Sequence, residues 1–539
     1  MKKHIRKQVL RLLKPHSAQL FFAFLSLVIA TGLTIPLPIL SKNLINSIIG
    51  SEAVSTPFGV FVVLFLTLLL LKEFLTYFSY YLFETRMRVF TASLRKLVFE
   101  AFQNNYEEFS SYESGRMLTY INSDPERLQT FFYPTFVHFL KDALTFSFAL
   151  LVGLHLNAMI AGVSILPLFI FFVLIRYVNP VVRRLSRESI ESQTEFVSRL
   201  KEYIDGMEMF RVYLRELFSV QKFSEFNEMY ATADIRRIKS IVMFNLPLTI
   251  LFNSGYIVAL LMGVYCVRQG LMEIGSLFAI LMAVNYLYDS SKNLWDFNIH
   301  WEEIKVVEDR LSEVLKEYGV GADKRYRDRE KTGSVRKIET IKVEIPSFSY
   351  GEGKSLLENF ELEAKLGEVV GLIGKSGRGK STLIKIILGL LGREEGYVKV
   401  NGVSLNQIEP DVYYSRIGYV PQHPIVFKGT VKENVFLGED GQLVEVLLEL
   451  LDDLSPERDV EEGGRNLSGG EIQRIALCRA FVLKDKDLYL LDEPTAHLDA
   501  KRAEKVKELI RSKAKDSIIL IVSHSVDLVK ELADKVVEI

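Results

Sequence analysis

"EVVGLIGKSGRGKST", residues 368–382, decides how the C-terminal part of this 539-residue chain is read. The apolar run through Val369 and Ile373 predicts a buried strand, and a glycine-rich loop follows it at once. Gly374, Gly379, Lys380 and Ser381 fit G-x-x-x-x-G-K-[ST] in the strand–loop–helix setting which that pattern requires. In such a loop the backbone around Gly374, Ser376, Gly377 and Gly379 turns N–H groups toward phosphate oxygens. Lys380 reaches the β and γ oxygens, the Ser381 hydroxyl holds Mg²⁺, and Thr382 completes the cradle. This signal is specific for a nucleoside triphosphate.

Further along the chain, short β-branched runs alternate with helical patterns, the sign of an α/β domain from about residue 339. "LYLLDEP", 488–494, ends an apolar strand in two carboxylates, which would be costly beside a buried sheet without a task. Asp492 is placed for Mg²⁺, and Glu493, one residue on, for polarising the attacking water. "SIILIVSH" brings His524 to the same edge, where parallel sheets bind ligands. "RIGYVPQ" ends another strand at Gln422, a neutral oxygen within reach of Mg²⁺ or water. Tyr350, upstream of the loop, offers a flat face for adenine.

A second glycine pair stands in "NLSGGEIQRIALCRA", 466–480. Ile472, Ile475, Ala476 and Ala480 mark the apolar side of a helix that leaves Gln473, Arg474 and Arg479 elsewhere. Ser468 and Glu471 have the S-x-x-E spacing of a capping box.

Toward the N-terminus the grammar changes. An apolar fraction of 49% is concentrated in the first 300 or so residues, in six runs near 18–40, 57–83, 132–154, 158–177, 241–267 and 274–296. Each is long enough for a hydrocarbon core of about 30 Å. Runs such as "FGVFVVLFLTLLLL" are apolar all round, unlike a soluble amphipathic helix. Lys and Arg gather at the start and in 84–131 and 178–240, which puts both termini and both long loops on the cytoplasmic side of the inner membrane. The loops keep helical spacing, so the spans extend beyond the lipid, with breaks at Ser114-Gly115 and Gly206. Residues 316–338 form a polar linker between a membrane domain, 1–315, and the α/β domain, 339–539. With 66 Lys and Arg against 67 Asp and Glu there is no case for nucleic acid. Two cysteines, Cys266 and Cys478, read as packing residues.

Taken together, these motifs resemble an ATP-binding cassette half-transporter of the exporter type, over nearly the whole chain. The implied fold is a six-span α-helical membrane domain with long cytoplasmic extensions, then an α/β P-loop nucleotide-binding domain with a helical subdomain. The resemblance makes Tyr350 the A-loop aromatic, 374–382 Walker A, Gln422 the Q-loop, 467–471 the signature, Asp492 and Glu493 Walker B, Asp499 the end of the D-loop and His524 the switch histidine. It also likens "SGRMLTYINSDPERL" and "EYIDGMEMFRVY" to coupling helices, which dock on nucleotide-binding domains in that family. By the same likeness Ser468, Gly469, Gly470 and Glu471 contact the ATP held by another subunit, so ATP, Mg²⁺ and a dimer are implied. Retention of Lys380, Asp492, Glu493 and His524 favours a homodimer over a pair of unlike chains.

The chain departs from the family pattern at Glu471, usually Gln, and at His497, usually a small residue. The stretch from Gln422 to Leu467 is short, which suggests a trimmed helical subdomain, and Ile539 falls before a further strand and helix that the likeness leads one to expect. Lys72, Glu73, Asp142 and Asp289 fall inside spans, roughly 18–23 Å from the outer face. They line a partly polar cavity or pair with one another, for example Lys72 with Asp142. A cavity of that kind suits an amphipathic, peptide-like, lipid or drug cargo exported across the cytoplasmic membrane by alternating access. A regulatory membrane ATPase without cargo is the alternative.

Overall fold

The computed structural model describes residues 11–49, 58–104, 114–325, 337–349, 355–375, 377–439, 441–482 and 486–539. The chain forms two compact units, Met1–Ala322 and Asp323–Ile539.

The described residues of the first unit form helices joined by short turns. Helices α1 (Ser17–Gly32), α2 (Pro36–Ile49) and α3 (Phe58–Asn104) open it. Next come α4 (Ser114–Leu118), α5 (Asp124–Thr130) and α6 (Val137–Leu156). The remainder is α7 (Ala158–Asp205), α8 (Met207–Val212), α9 (Glu216–Arg268) and α10 (Ile274–Arg325). Asn157 turns the chain between α6 and α7, its side chain accepting the N–H groups of Met159 and Ile160 at 3.1 Å. The run expected at 18–40 is two helices, not one. Pro36 opens α2 and disfavours helical backbone at Ile35, and the chain turns through Leu33–Ile35 with the Thr34 hydroxyl on the Thr31 carbonyl. As expected, α7 stops at Gly206.

Among the described residues, five stretches are long and apolar enough to cross a membrane: Arg11–Ile49, Phe58–Gln103, Gly115–Leu156, Ala158–Asp205 and Glu216–Arg268. Only 6% of the most apolar window of Phe58–Gln103 is buried within the protein, so its greasy face needs lipid as solvent. The sixth expected run is helical, inside α10, but is diluted by polar residues. Asn285, Asp289, Lys292 and Asn293 form an exposed stripe at helical spacing, while Leu287, Tyr288 and Trp295 are buried on the other side. Helix α10 also runs on to Arg325, so the expected linker begins as helix.

In the second unit β1 (Thr340–Phe348), β2 (Leu357–Lys365) and β3 (Val369–Ile373) lead to α11 (Lys380–Ile387). Then follow β4 (Val398–Val400), β5 (Val403–Ser404), β6 (Ile417–Val420) and β7 (Gly429–Thr430). Helices α12 (Val431–Phe436) and α13 (Glu445–Leu451), strand β8 (Asp459–Val460) and α14 (Gly469–Val482) make a small helical region. Strand β9 (Leu488–Asp492), α15 (Ala500–Ala514), β10 (Ile518–Val522), α16 (Val526–Leu532) and β11 (Lys535–Glu538) complete the unit.

Strands β11, β3, β10, β9 and β6 form a parallel sheet in that order, beside an antiparallel sheet β2-β1-β4-β5. Strands β9 and β10 are buried along their whole length, as a sheet covered on both faces requires. Val522 pairs with Leu372 on one side and Asp492 on the other. The three strands therefore end level, and the residues after them meet at one edge. Helix α14 departs from the expected amphipathic pattern: Gln473 and Arg474 are buried with Ile475 and Ala476. It lies between the sheet and helices α12 and α13, so its polar groups must find partners inside.

Candidate functional site

At the shared strand edge, Leu356, Gly377, Gly379, Lys380, Ser381, Thr382, Gln422, Asp492, Val522 and His524 line a cleft of about 210 Å³. Gly377 and Gly379 have φ of 79° and 96°, backbone that only glycine adopts without strain, and this turns the loop into the start of α11. Gly374 is needed for a different reason: a Cβ there would meet the Ile539 carbonyl oxygen at 2.7 Å. The Lys380 ammonium donates to the Gly374 and Lys375 carbonyls at 2.6 and 3.1 Å, which holds a positive charge at the centre of the loop. Ser376 and Tyr350 lie outside the described residues.

Ser381 Oγ is 3.0 Å from Asp492 Oδ2 and 3.5 Å from Gln422 Oε1. Three oxygen donors from three elements suit a hard divalent cation such as Mg²⁺. Burial pushes the Asp492 carboxyl above its usual range, with Glu493 adding to the effect; the Ser381 bond, Lys380 and His524 only partly offset it. Such a carboxylate gains most from a cation beside it. Glu493 has φ of 52° and turns away from Asp492, accepting from the His524 N–H at 2.5 Å and the Ser523 hydroxyl at 3.0 Å. His524 Nε2 stands 3.9 Å from the same carboxylate. Ser523 was not legible as a site residue, because a serine at the end of a strand has no distinguishing pattern.

None of Ser468, Gly469, Gly470, Glu471 or Asp499 lines this cleft. The signature loop is tied to it indirectly, through the buried Gln473 amide that donates to the Glu493 carbonyl at 3.1 Å. The expected capping box is present. Ser468 N–H donates to Glu471 Oε2 at 2.7 Å, and the Glu471 N–H reaches Ser468 Oγ at 3.3 Å. Asp499 caps α15 through the Arg502 N–H at 2.8 Å, a role that its motif did not announce. Cys478 is buried and its thiol is pushed up to about 12 by that burial, which fits packing and not chemistry.

In the membrane unit, Lys72 pairs with its neighbour Glu73 at 2.8 Å, and Asp142 with Lys141 at 3.8 Å. The suggested Lys72–Asp142 pair is therefore corrected: each cation takes the carboxylate next to it in sequence. The four charges still share a region. Tyr80 lies near Asp142 and Glu73, and Asp289 and Asn293 of α10 lie near Asp142. Asp142 is 3% exposed, and its Oδ2 has no hydrogen-bond partner.

This arrangement, a long helical membrane unit joined to a phosphate-loop sheet with a separate signature helix, defines a class of ATP-driven membrane machines. The ABC transporter transmembrane region matches residues 20–291, just over half of the chain, and the ABC transporter domain matches 357–496. The chain belongs to the ABC transporters, and it is a half-transporter whose ATPase drives export. Over 560 aligned positions it is 24% identical to YgaD of Bacillus subtilis, named for multidrug export, covering 99% of this chain and 94% of that one. It is 25% identical over 555 positions to an ATP-dependent lipid A-core flippase of Desulfotalea psychrophila, with the same coverage. A bacterial Atm1-family ABC exporter with ATP bound shares the fold, at a TM-score of 0.81 and 18% identity over 97% of this chain and 93% of that structure.

Proposed function

We propose that two copies of this chain form a homodimeric exporter in the inner membrane, with both termini cytoplasmic, that moves an amphipathic cargo through a partly polar cavity. The observation that carries the cargo class is the exposed stripe of Asn285, Asp289, Lys292 and Asn293 in the sixth apolar run, beside the unpartnered Asp142 Oδ2. Carboxylates and amides in a span face water or protein and not lipid tails. Multidrug export and lipid flipping, the tasks in the relatives' names, both concern amphipathic molecules.

In this reading each nucleotide lies on the Lys380 loop of one copy, under Tyr350, and against Ser468–Glu471 of the other. Asp499 lies along the seam. The separation of the two half-sites within one chain supports the pairing. Ser381, Gln422 and Asp492 would hold Mg²⁺, which would supply positive charge to offset that on the phosphate oxygens. Glu493 takes the proton of the attacking water, and His524 donates to the γ-phosphate. The measurement is ATP-dependent accumulation of a fluorescent cationic amphiphile in inverted vesicles. The combined variant Glu73→Gln, Asp142→Asn, Asp289→Asn should lower stimulated ATPase and uptake roughly tenfold. Unchanged stimulation in a folded variant would sink the cavity, and ATP turnover with no accumulation of any amphiphile would favour a regulatory ATPase.

A further inference from the structure

Glu471 sets a carboxylate at the start of the helix that, on the reading above, faces the γ-phosphate of a second copy. An uncompensated anion there would repel the nucleotide. The structure shows it compensated. Glu471 Oε2 accepts both the N–H and the hydroxyl of Ser468, at 2.7 and 2.8 Å. Its other oxygen, Oε1, accepts Arg458 Nη1 at 2.6 Å, and the Glu471 side chain is only 14% exposed.

Arg458 belongs to none of the motifs, yet it joins three segments. Its Nη2 donates to the Asn466 carbonyl at 2.9 Å, one residue before the signature. Its own carbonyl accepts the Val431 N–H at 3.0 Å, at the start of α12. The Asn466 side chain closes the loop from the other side, accepting from Glu461 N–H at 2.9 Å and donating to the Asp459 carbonyl at 2.8 Å. The guanidinium thus grips a carboxylate and a carbonyl in one plane, geometry that lysine cannot reproduce.

We propose that Arg458 is a positioning residue for the signature loop. It neutralises Glu471 and holds it in the cap, so that the loop can receive the nucleotide of a second copy without like-charge repulsion. The Ser468 hydroxyl is committed to Glu471 in the same network, so the loop offers backbone N–H groups first. This inference rests on the paired-site reading of the preceding section.

The test is steady-state ATPase of the full-length chain in nanodiscs, with ATP varied. Arg458→Gln keeps a donor for the Asn466 carbonyl but removes the charge. It should raise KM for ATP roughly tenfold, with a smaller change in kcat. Rising salt should narrow that gap, because screening weakens the repulsion that the variant uncovers. In a Glu471→Gln background, whatever its own activity, adding Arg458→Gln should change KM less than about twofold. Arg458→Lys should recover part of the loss, and Arg458→Met provides a second charge-free form if the glutamine variant folds poorly. An equal KM penalty in both backgrounds, or none in either, would overturn the proposal. Loss of ATPase in the unaltered chain as well would instead strike the paired-site reading.

Discussion

Gly470 shows how a single residue can be required for two separate reasons. Its place in the glycine pair at the start of α14 was readable from the sequence. Its place against His497 was not, since the two are far apart along the chain and His497 has φ of 63°, uncommon for a residue with a side chain. A Cβ on Gly470 would meet the His497 carbonyl oxygen at 2.7 Å, whereas one on Gly469 would meet His497 Cγ at 3.4 Å, ordinary contact. Backbone cannot step aside cheaply, so Gly470→Ala should cost about 1–3 kcal/mol. At roughly 2–4 °C per kcal/mol, the melting transition of the nucleotide-binding unit should fall by at least about 2 °C. Gly469→Ala should leave that transition within about 1 °C, even where it impairs turnover. Thermal melts of the two purified variants that coincide would contradict this account. The residues that meet at the strand edge, Lys380, Ser381, Gln422, Asp492 and His524, were legible because a phosphate loop and its partner strands need fixed types at fixed spacing. Ser523 and Arg458 were not, because each meets its partners, Glu493 for the one and Glu471 and Asn466 for the other, only once the chain has folded.

At the scale of the element, α14 shows where periodicity fails. Its apolar spacing located the helix and its cap, but Gln473 and Arg474, which that spacing set off the apolar side, are buried as well. Arg474 reaches the Leu451 carbonyl and Asp453, and Arg479 the Asn434 carbonyl at 2.9 Å. A pattern of residue types does not distinguish a face that meets water from one that meets carbonyls. The same ambiguity runs the other way in α10, whose polar stripe would read as an ordinary solvated face in a soluble protein.

The cap of α14 also has a pH dependence. Burial alone would raise the Glu471 carboxyl, but the two bonds from Ser468 and the charge and bond of Arg458 outweigh it and hold it below the usual range. A lowered carboxyl stabilises the fold fully above its unfolded value, about 4.3. That contribution fades as pH falls through the lower, folded value. Hydrogen exchange at the Ser468 and Glu471 amides, corrected for intrinsic rate, should thus be equally protected at pH 7.5 and 5.5 and lose protection below about pH 4. Protection already lost at pH 5.5 would mean that the carboxylate is not held by this network.

At the scale of the whole molecule, the order of the motifs and the six apolar runs made the architecture readable, since spans and phosphate loops are dictated by lipid thickness and phosphate geometry. The pairing of chains is a different matter, because an interface with a second chain leaves no internal pattern. A complementation experiment addresses it directly. Lys380→Ala removes the cation of the phosphate loop, and Gly469→Asp places a charge in the signature. Homodimers of either variant have no intact composite site and should be inactive. Coexpressed in equal amounts and pairing at random, the two variants give mixed dimers in about half of the assemblies. Each mixed dimer has one site with an intact phosphate loop from the Gly469→Asp copy and an intact signature from the Lys380→Ala copy. If sites act independently, ATPase should return to about a quarter of the unaltered level. Were each site built within one chain, every copy in the mixture would carry a damaged site and no activity would return. Recovery of ATPase, checked with differently tagged copies purified as the mixed pair, therefore separates a site shared across two chains from a site within one.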